Sequence, residues 1–219
     1  MYQKKLLDDL ISRYTCLSVS KESIWNTFII LRESYESSGK LIIAGNGGSA
    51  SDSNHIVGEL MKGFNSHRRL EEKSVDKFKE VAGEYGVSLA HKLQGSLPAI
   101  SLSAHTALIS AIVNDVDGDM IYAQQVYGYG NNNDVFLGIS TSGNALNVYN
   151  AAVVAKERGM KVIALTGERE SRLSKISDLT IRVPEVETFK IQELHLPVYH
   201  TLCLMLESYF FDKVGDSDV

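Results

Sequence analysis

The stretch Leu41-Ile-Ile-Ala-Gly-Asn-Gly-Gly-Ser49 decides the reading of the chain, and the polar run Ala50-Ser-Asp-Ser-Asn-His55 follows it at once. An unbroken apolar run predicts a buried parallel strand. A glycine-rich turn ending in serine leaves backbone N–H groups free at a helix start, where an anion is stabilised. Gly47, Gly48 and Ser49 therefore form a candidate phosphate cradle. Alone this is a weak signal, because an ordinary strand-to-helix turn looks the same. The pattern recurs, however: Val135-Phe-Leu-Gly-Ile139 runs into Ser140-Thr-Ser-Gly-Asn144 ahead of a helical stretch over residues 145–158. Two hydroxyl-rich turns at the carboxyl ends of two strands predict one ligand held between them.

Composition bounds the rest. With 219 residues, 44% hydrophobic and 22% charged, the chain reads as one soluble globular domain, residues 1–219, elaborated by a helical insert. A net charge of -5 and a pI near 5.7 argue against nucleic-acid binding, which needs a basic face. An anionic small ligand must therefore be met by local N–H, hydroxyl and cationic groups. Cys16 and Cys203 match no metal-ligand spacing and sit in amphipathic or apolar stretches, so buried reduced thiols are expected rather than a disulfide. Acidic residues interrupt the first stretch where an export signal needs an apolar core, and no later run reaches membrane-spanning length. A cytoplasmic protein with no membrane span is expected.

Two amphipathic helices, over residues 2–17 and 20–35, precede the first strand, and Trp25 and Phe28 give the second a broad apolar face. That width fits a helix bundle between subunits, hence a homo-oligomer. A helix over 50–64 carries His55 and Glu59, and residues 66–96 read as a helical insert with aromatics and little proline. Strands at 98–102, 162–166 and 179–183 alternate with helices at 107–115, 121–127 and 189–211. This alternation predicts a parallel sheet covered on both faces.

His55 and Glu59, four apart, share one helix face close behind the cradle. Taken alone such a pair is more often a solvated contact than a site. On the closing helix, Gln192 and His200 are about 80° apart around a regular helix, whereas Glu193 and His200 share a face outright; spacing does not choose between them, and Pro197 can kink the helix.

Taken together, Gly45-Asn-Gly-Gly-Ser-Ala-Ser-Asp-Ser-Asn-His55 with Glu59-Leu60, Gly138-Ile-Ser-Thr-Ser-Gly-Asn-Ala-Leu-Asn-Val148, Lys161-Val-Ile-Ala-Leu-Thr-Gly167, Ile181-Arg-Val-Pro184 and Ile191-Gln-Glu-Leu-His195 with His200 resemble the phosphoheptose isomerases, a branch of the sugar-isomerase (SIS) domain family. The resemblance runs from about residue 3 to 211, interrupted by the insert. It implies an α/β fold, a three-layer αβα sandwich around a five-stranded parallel sheet of flavodoxin-like type. It also implies a homotetramer that converts sedoheptulose 7-phosphate to D-glycero-D-manno-heptose 7-phosphate. A zinc ion per subunit at His55, Glu59, Gln192 and His200 is implied too, favouring Gln192 over Glu193.

Ketose–aldose interconversion moves a proton between neighbouring carbons through an enediol and needs one base and one acid. Glu59 is expected as the base and His200 as the acid. Ser49, Ser140, Thr141 and Ser142 would hold the phosphate, while Asn46, Asn114, Asp115 and Gln192 would meet sugar hydroxyls. The chain departs from the family in two places. Ala145 stands where a serine is common, and Lys62-Gly63 replaces a Gly-Arg pair, so that Lys62, Arg68 or Arg69 is expected to supply the missing cation. The rival reading is a non-catalytic SIS protein, either a sugar-phosphate regulator or an adaptor for the bacterial replication initiator.

Overall fold

The computed structural model describes residues 2–212. Helices α1 (Tyr2–Arg13) and α2 (Lys21–Glu36) flank a 3-10 turn and lead into β1 (Leu41–Gly45) and α3 (Gly48–Met61). The insert helix α4 (Glu72–Ala90) precedes β2 (Ala99–Ser101), α5 (Thr106–Asp115) and α6 (Ala123–Tyr129). The chain closes with β3 (Val135–Ile139), α7 (Leu146–Glu157), β4 (Lys161–Thr166), the short α8 (Arg172–Ile176), β5 (Leu179–Arg182) and α9 (Thr188–Phe210).

The five strands pair in the order β2-β1-β3-β4-β5, all parallel, as the resemblance implied. Successive side chains of a strand point to opposite faces, and each face has its own core. Leu41, Ile43, Leu137 and Ile163 pack under α1, α2, α3 and α9, while Ile42, Phe136, Val162 and Ala164 pack under α6, α7 and α8. A parallel sheet buried on both sides needs apolar residues at every position, which is why β1 and β3 read as unbroken apolar runs. At the opposite end Asp134 accepts from the backbone N–H groups of Lys40 and Asn131 at 2.9 and 2.8 Å and from Lys40 Nζ at 2.6 Å, fixing the starts of β1 and β3 together.

Three expectations are revised. The first helix stops at Arg13 rather than 17: Tyr14 leaves helical geometry (φ -128°, ψ 74°) and the 3-10 turn Thr15–Ser20 drives Leu17 into the core, leaving Cys16 exposed. Cys203 alone is buried, and both thiols are free. Next, Phe28 is fully buried in the chain's own core with the tilted Trp25 ring 5.4 Å from it, so Phe28 serves the chain's own sheet while Trp25, Ile29 and Ile30 stay partly exposed. Large exposed apolar residues are spread over α5 (Leu108 and Val113), the insert (Val81 and Tyr85), α7 (Leu146 and Val153) and α9 (Phe189 and Leu196). Finally, the insert is helical but broken, with Ala82 (φ -142°) and Gly83 (φ 57°) turning the chain back so that Gly86 rides on the Phe78 carbonyl. A Cβ on Gly86 would lie 1.9 Å from that oxygen, so only glycine permits the crossing.

The fold rests on the apolar layers of the central strands. Phe136→Ala, which empties a site with 0% exposure in the middle of β3, is expected to cost about 3–5 kcal/mol of unfolding free energy. Urea denaturation of the two proteins at neutral pH checks this.

Candidate functional site

In an open parallel sheet, ligands sit beyond the carboxyl ends of the strands where the strand order reverses. Here that point lies between β1 and β3, where Gly45 stands beside Ile139. Both polar turns leave the sheet there and enclose a cavity of about 360 Å³ lined by Asn46, Gly47, Gly48, Ser49, Ser140, Thr141, Ser142, Ala145 and Gln192. Gly47 caps α3 at φ 56°, a conformation that favours glycine. Neither Gly47 nor Gly48 gives its N–H to a backbone acceptor in the turn, and the same holds for Thr141 and Ser142. A bundle of unengaged N–H groups at two helix starts, with serine hydroxyls among them, is an oxyanion-binding surface. Asn46 and Asn147 join the two turns through paired amide bonds of 2.9 and 3.0 Å, and the Tyr122 hydroxyl steadies them by donating to Gly45 O at 2.6 Å. A larger depression of about 540 Å³ lies between α2 and β5, away from this crevice, and carries Glu22, Glu168 and Arg182.

From the crevice α3 and α9 run side by side. Gln192 lies against Gly48, where a Cβ would meet its Nε2 at 2.4 Å, while Glu193 is exposed, so the geometry takes Gln192 into the cradle. Farther along both helices three side chains meet: His55 Nε2 lies 3.2 Å from Glu59 Oε1 and 3.4 Å from His200 Nε2. The Glu59 side chain is only 13% exposed and its Oε2 is buried without a hydrogen-bond partner among the described residues. Burial pushes the His200 pKa down, His55 adds to this and Glu59 opposes it. His200 is therefore neutral near pH 7 and able to pass a proton in either direction.

Behind His55 stands a pair that no spacing rule singled out. Tyr199 donates to Asp52 Oδ1 at 3.2 Å, and His55 Nδ1 lies 3.1 Å from the Tyr199 hydroxyl. Burial raises the Asp52 pKa against the Tyr199 hydrogen bond and the His55 charge. Asp52 three residues before His55, and Tyr199 next to His200, were the only traces of this pair in the sequence, and helical spacing alone does not distinguish them from packing residues.

Two expected groups fall elsewhere. Asn114 and Asp115 end α5 as exposed residues bonded to each other at 2.7 Å and do not line the crevice. The physical reason is topological: α5 follows β2, the edge strand, and packs chiefly on the turn Gly118–Met120. Arg68 is not a free cation, since its side chain is fully buried against Glu207. Lys62, 61% exposed, brings its Nζ to 3.6 Å from Glu59 Oε2.

Two imidazoles and a carboxylate are donors that zinc accepts. Their separations of 3.2 and 3.4 Å match the ligand-to-ligand edge, about 3.3 Å, of a tetrahedron with metal bonds of about 2.0–2.1 Å. Among the described residues, no group of three or more His, Cys, Asp or Glu side chains is arranged to hold a metal ion as it stands. The donor chemistry thus fits zinc, and completing a cage requires side-chain adjustment or the Gln192 amide.

Comparison with known proteins bears on this geometry. Residues 74–167 match the SIS domain family model. The chain is 35% identical over 213 residues to a phosphoheptose isomerase of Helicobacter pylori (strain P12), covering 97% of each chain. It is 36% identical over 187 residues to one from a Nitratiruptor species, covering 85% of this chain and 86% of that protein. Among solved structures it is similar to the phosphoheptose isomerases of Neisseria gonorrhoeae (TM-score 0.70, 27% identity, 95% of this chain and 100% of that one) and Francisella tularensis (TM-score 0.70, 28% identity, 92% and 98%). No helix among the described residues is long and apolar enough to cross a membrane.

His195, on α9 between Gln192 and His200, is fully buried with both ring nitrogens outside hydrogen-bonding geometry among the described residues. Desolvation lowers its pKa to about 4, with the Thr166 backbone pulling the other way. In the unfolded chain it titrates near 6.5, so between those values the unfolded state binds the extra proton, and stability falls as pH drops from 6.5 towards 4. The loss is expected to be on the order of 2–3 kcal/mol. Urea unfolding at pH 7 and 4.5 should show a pH dependence in wild type that is reduced by that amount in His195→Gln.

Proposed function

The chain belongs to the phosphoheptose isomerases of the SIS-domain family, and from that premise we propose that it interconverts sedoheptulose 7-phosphate and D-glycero-D-manno-heptose 7-phosphate through an enediol. The observation that carries this reading is the meeting of Glu59, His55 and His200 on two helices that both start from, or pass, the phosphate crevice. Along those helices His55 lies seven residues past Gly48, His200 eight past Gln192 and Glu59 eleven past Gly48, an axial rise of roughly 10–16 Å at 1.5 Å per residue.

The phosphate is taken by the hydroxyls of Ser49, Ser140, Thr141 and Ser142 and the N–H groups of Gly47 and Gly48. Ala145 lines the same wall without a hydroxyl, and the lost contact to a charged group is worth about 1.5–3 kcal/mol. Asn46 bonds sugar hydroxyls, and Gln192 does the same where no metal is bound. Glu59 removes the proton from the carbon next to the carbonyl and returns it to the neighbouring carbon. His200, held neutral by burial, carries the proton between the two oxygens. Lys62 lies beside Glu59 and offsets its charge. His55, Glu59, Gln192 and His200 would hold one zinc ion per subunit, which when bound polarises the carbonyl and stabilises enediolate oxygens.

Self-association into a homotetramer belongs to the same reading. Exposed Leu108, Val113 and Val116 on and just after α5 offer an apolar surface, and Asn114 and Asp115, beside them, would then serve a neighbouring copy. Free Cys16 and Cys203 suit the reducing cytoplasm.

Incubation with sedoheptulose 7-phosphate in deuterated water, followed by NMR with added zinc and with a chelator, tests the reaction. An aldoheptose phosphate deuterated at C2 is expected. Neither product nor exchange under either condition would favour the non-catalytic regulator or adaptor. Glu59→Gln should retain the fold and lose about 10²- to 10⁴-fold in turnover, with His200→Gln losing less if water replaces the acid. Near wild-type turnover in Glu59→Gln would remove Glu59 as the base.

A further inference from the structure

α3 ends at Met61, so the carbonyls of its last turn have no partner inside the helix. Glu59 sits in that turn, and its carboxylate can be no better placed than the turn itself. Arg68, at the root of the insert, reaches back to it. Nη1 donates to Leu60 O at 2.7 Å, Nη2 donates to Glu59 O at 2.8 Å, and Nε donates to Glu207 Oε1 at 2.7 Å. The Glu207 carboxylate also accepts the N–H groups of Phe64 and Asn65, each at 2.8 Å. The two side chains are 0% and 3% exposed, and the guanidinium lies 4.7 Å over the Phe211 ring. To make these contacts Arg68 takes a left-handed backbone, φ 40°, which a non-glycine residue holds only where its surroundings over-determine it.

Stability alone does not call for this arrangement, since apolar groups of similar volume often replace a buried ion pair without loss. Apolar groups cannot bond two carbonyls of α3 and two N–H groups of the segment after it at once. Glu207 lies seven residues beyond His200 on α9, on the same helix face. The pair thus runs from the backbone of Glu59 to the helix that carries His200.

We propose that Arg68 and Glu207 are positioning residues: the buried pair caps the last turn of α3, ties it to α9, and so fixes Glu59 relative to His200. Its meaning for turnover rests on the reading of Glu59 as the base. The cap itself does not.

The test compares Arg68→Lys and Glu207→Gln with wild type in the full chain, at a temperature where circular dichroism shows each protein folded. Lysine has no planar fork with which to bond three acceptors, and the neutral amide of Glu207→Gln leaves the guanidinium without a counter-charge. Turnover of sedoheptulose 7-phosphate should fall about 10- to 100-fold, the size expected of a small misplacement of a reacting group. KM and the affinity for inorganic phosphate should stay within about twofold, because the crevice lies at the other end of α3. Folded variants with wild-type turnover overturn the proposal, as does a parallel loss of kcat, KM and phosphate affinity. Hydrogen exchange of the wild-type protein needs no variant to fold. Amides in the last turn of α3 should be protected like those in its middle, and exchange at the rate of an exposed turn overturns the cap. A wild-type chain that exchanges slowly there but does not isomerise the sugar refutes the isomerase reading and the catalytic meaning of the pair, leaving a cap without that role.

Discussion

The pairing of β1 with β3 is the constraint on which the rest depends. Each strand ends in a polar, glycine-containing turn, and the parallel register that sets Gly45 beside Ile139 brings both turns to one crevice. Antiparallel pairing would send them to opposite ends of the sheet. Register along a two-sided buried sheet is fixed by burial, because a slip of one residue exchanges the two faces. The apolar layers around Phe136 and Ile43 therefore set where the two polar turns meet as much as they set stability.

A second arrangement grows from the first. α3 leaves the crevice and α9 passes it, so one helix pair carries both the wall of the polar crevice and the cluster of His55, Glu59 and His200. Groups that would be harmless in water acquire consequences between these helices. Glu59 Oε2 and both nitrogens of His195 are buried without partners among the described residues, and Asp52 and His200 are shifted towards their neutral forms. Unpartnered buried polar atoms are costly. Similar unpartnered atoms lie on α2 (Thr27, Arg32 and Tyr35), so burial cost is spread over the helices that cover this face of the sheet.

Much of this was legible in the sequence, for a physical reason. β1 and β3 are buried on both faces, so their apolar runs could not be mistaken for half-exposed strands, and the turns after them are held by local chemistry that reads in order along the chain. His55 and Glu59 were visible because helical spacing is short-range. What escaped was set by tertiary contact. Of the broad apolar face of α2, Phe28 belongs to the chain's own core, which helical spacing alone does not reveal. Arg68 looked like a spare cation because its partner, Glu207, lies far away in sequence. Asn114 and Asp115 sit beside an apolar helix that nothing in the sequence ties to the edge strand β2. The Tyr199–Asp52 pair joins two helices whose relative placement only the fold supplies.

The insert meets the body through a narrow neck. Arg69 and Gln94 form an antiparallel bridge, Gly95 N–H bonds Arg68 O at 2.7 Å, and Gly63 N–H bonds the Gln94 side chain at 2.8 Å. The chain leaves and returns at almost the same point, so the ends are already closed whatever lies between them. Because closure entropy grows only slowly with loop length, residues 70–93 form a segment that evolution or an engineer can shorten, lengthen or exchange while the neck preserves the backbone on either side. The neck thus closes residues 70–93 into a loop whose length adds little to the entropy of closure.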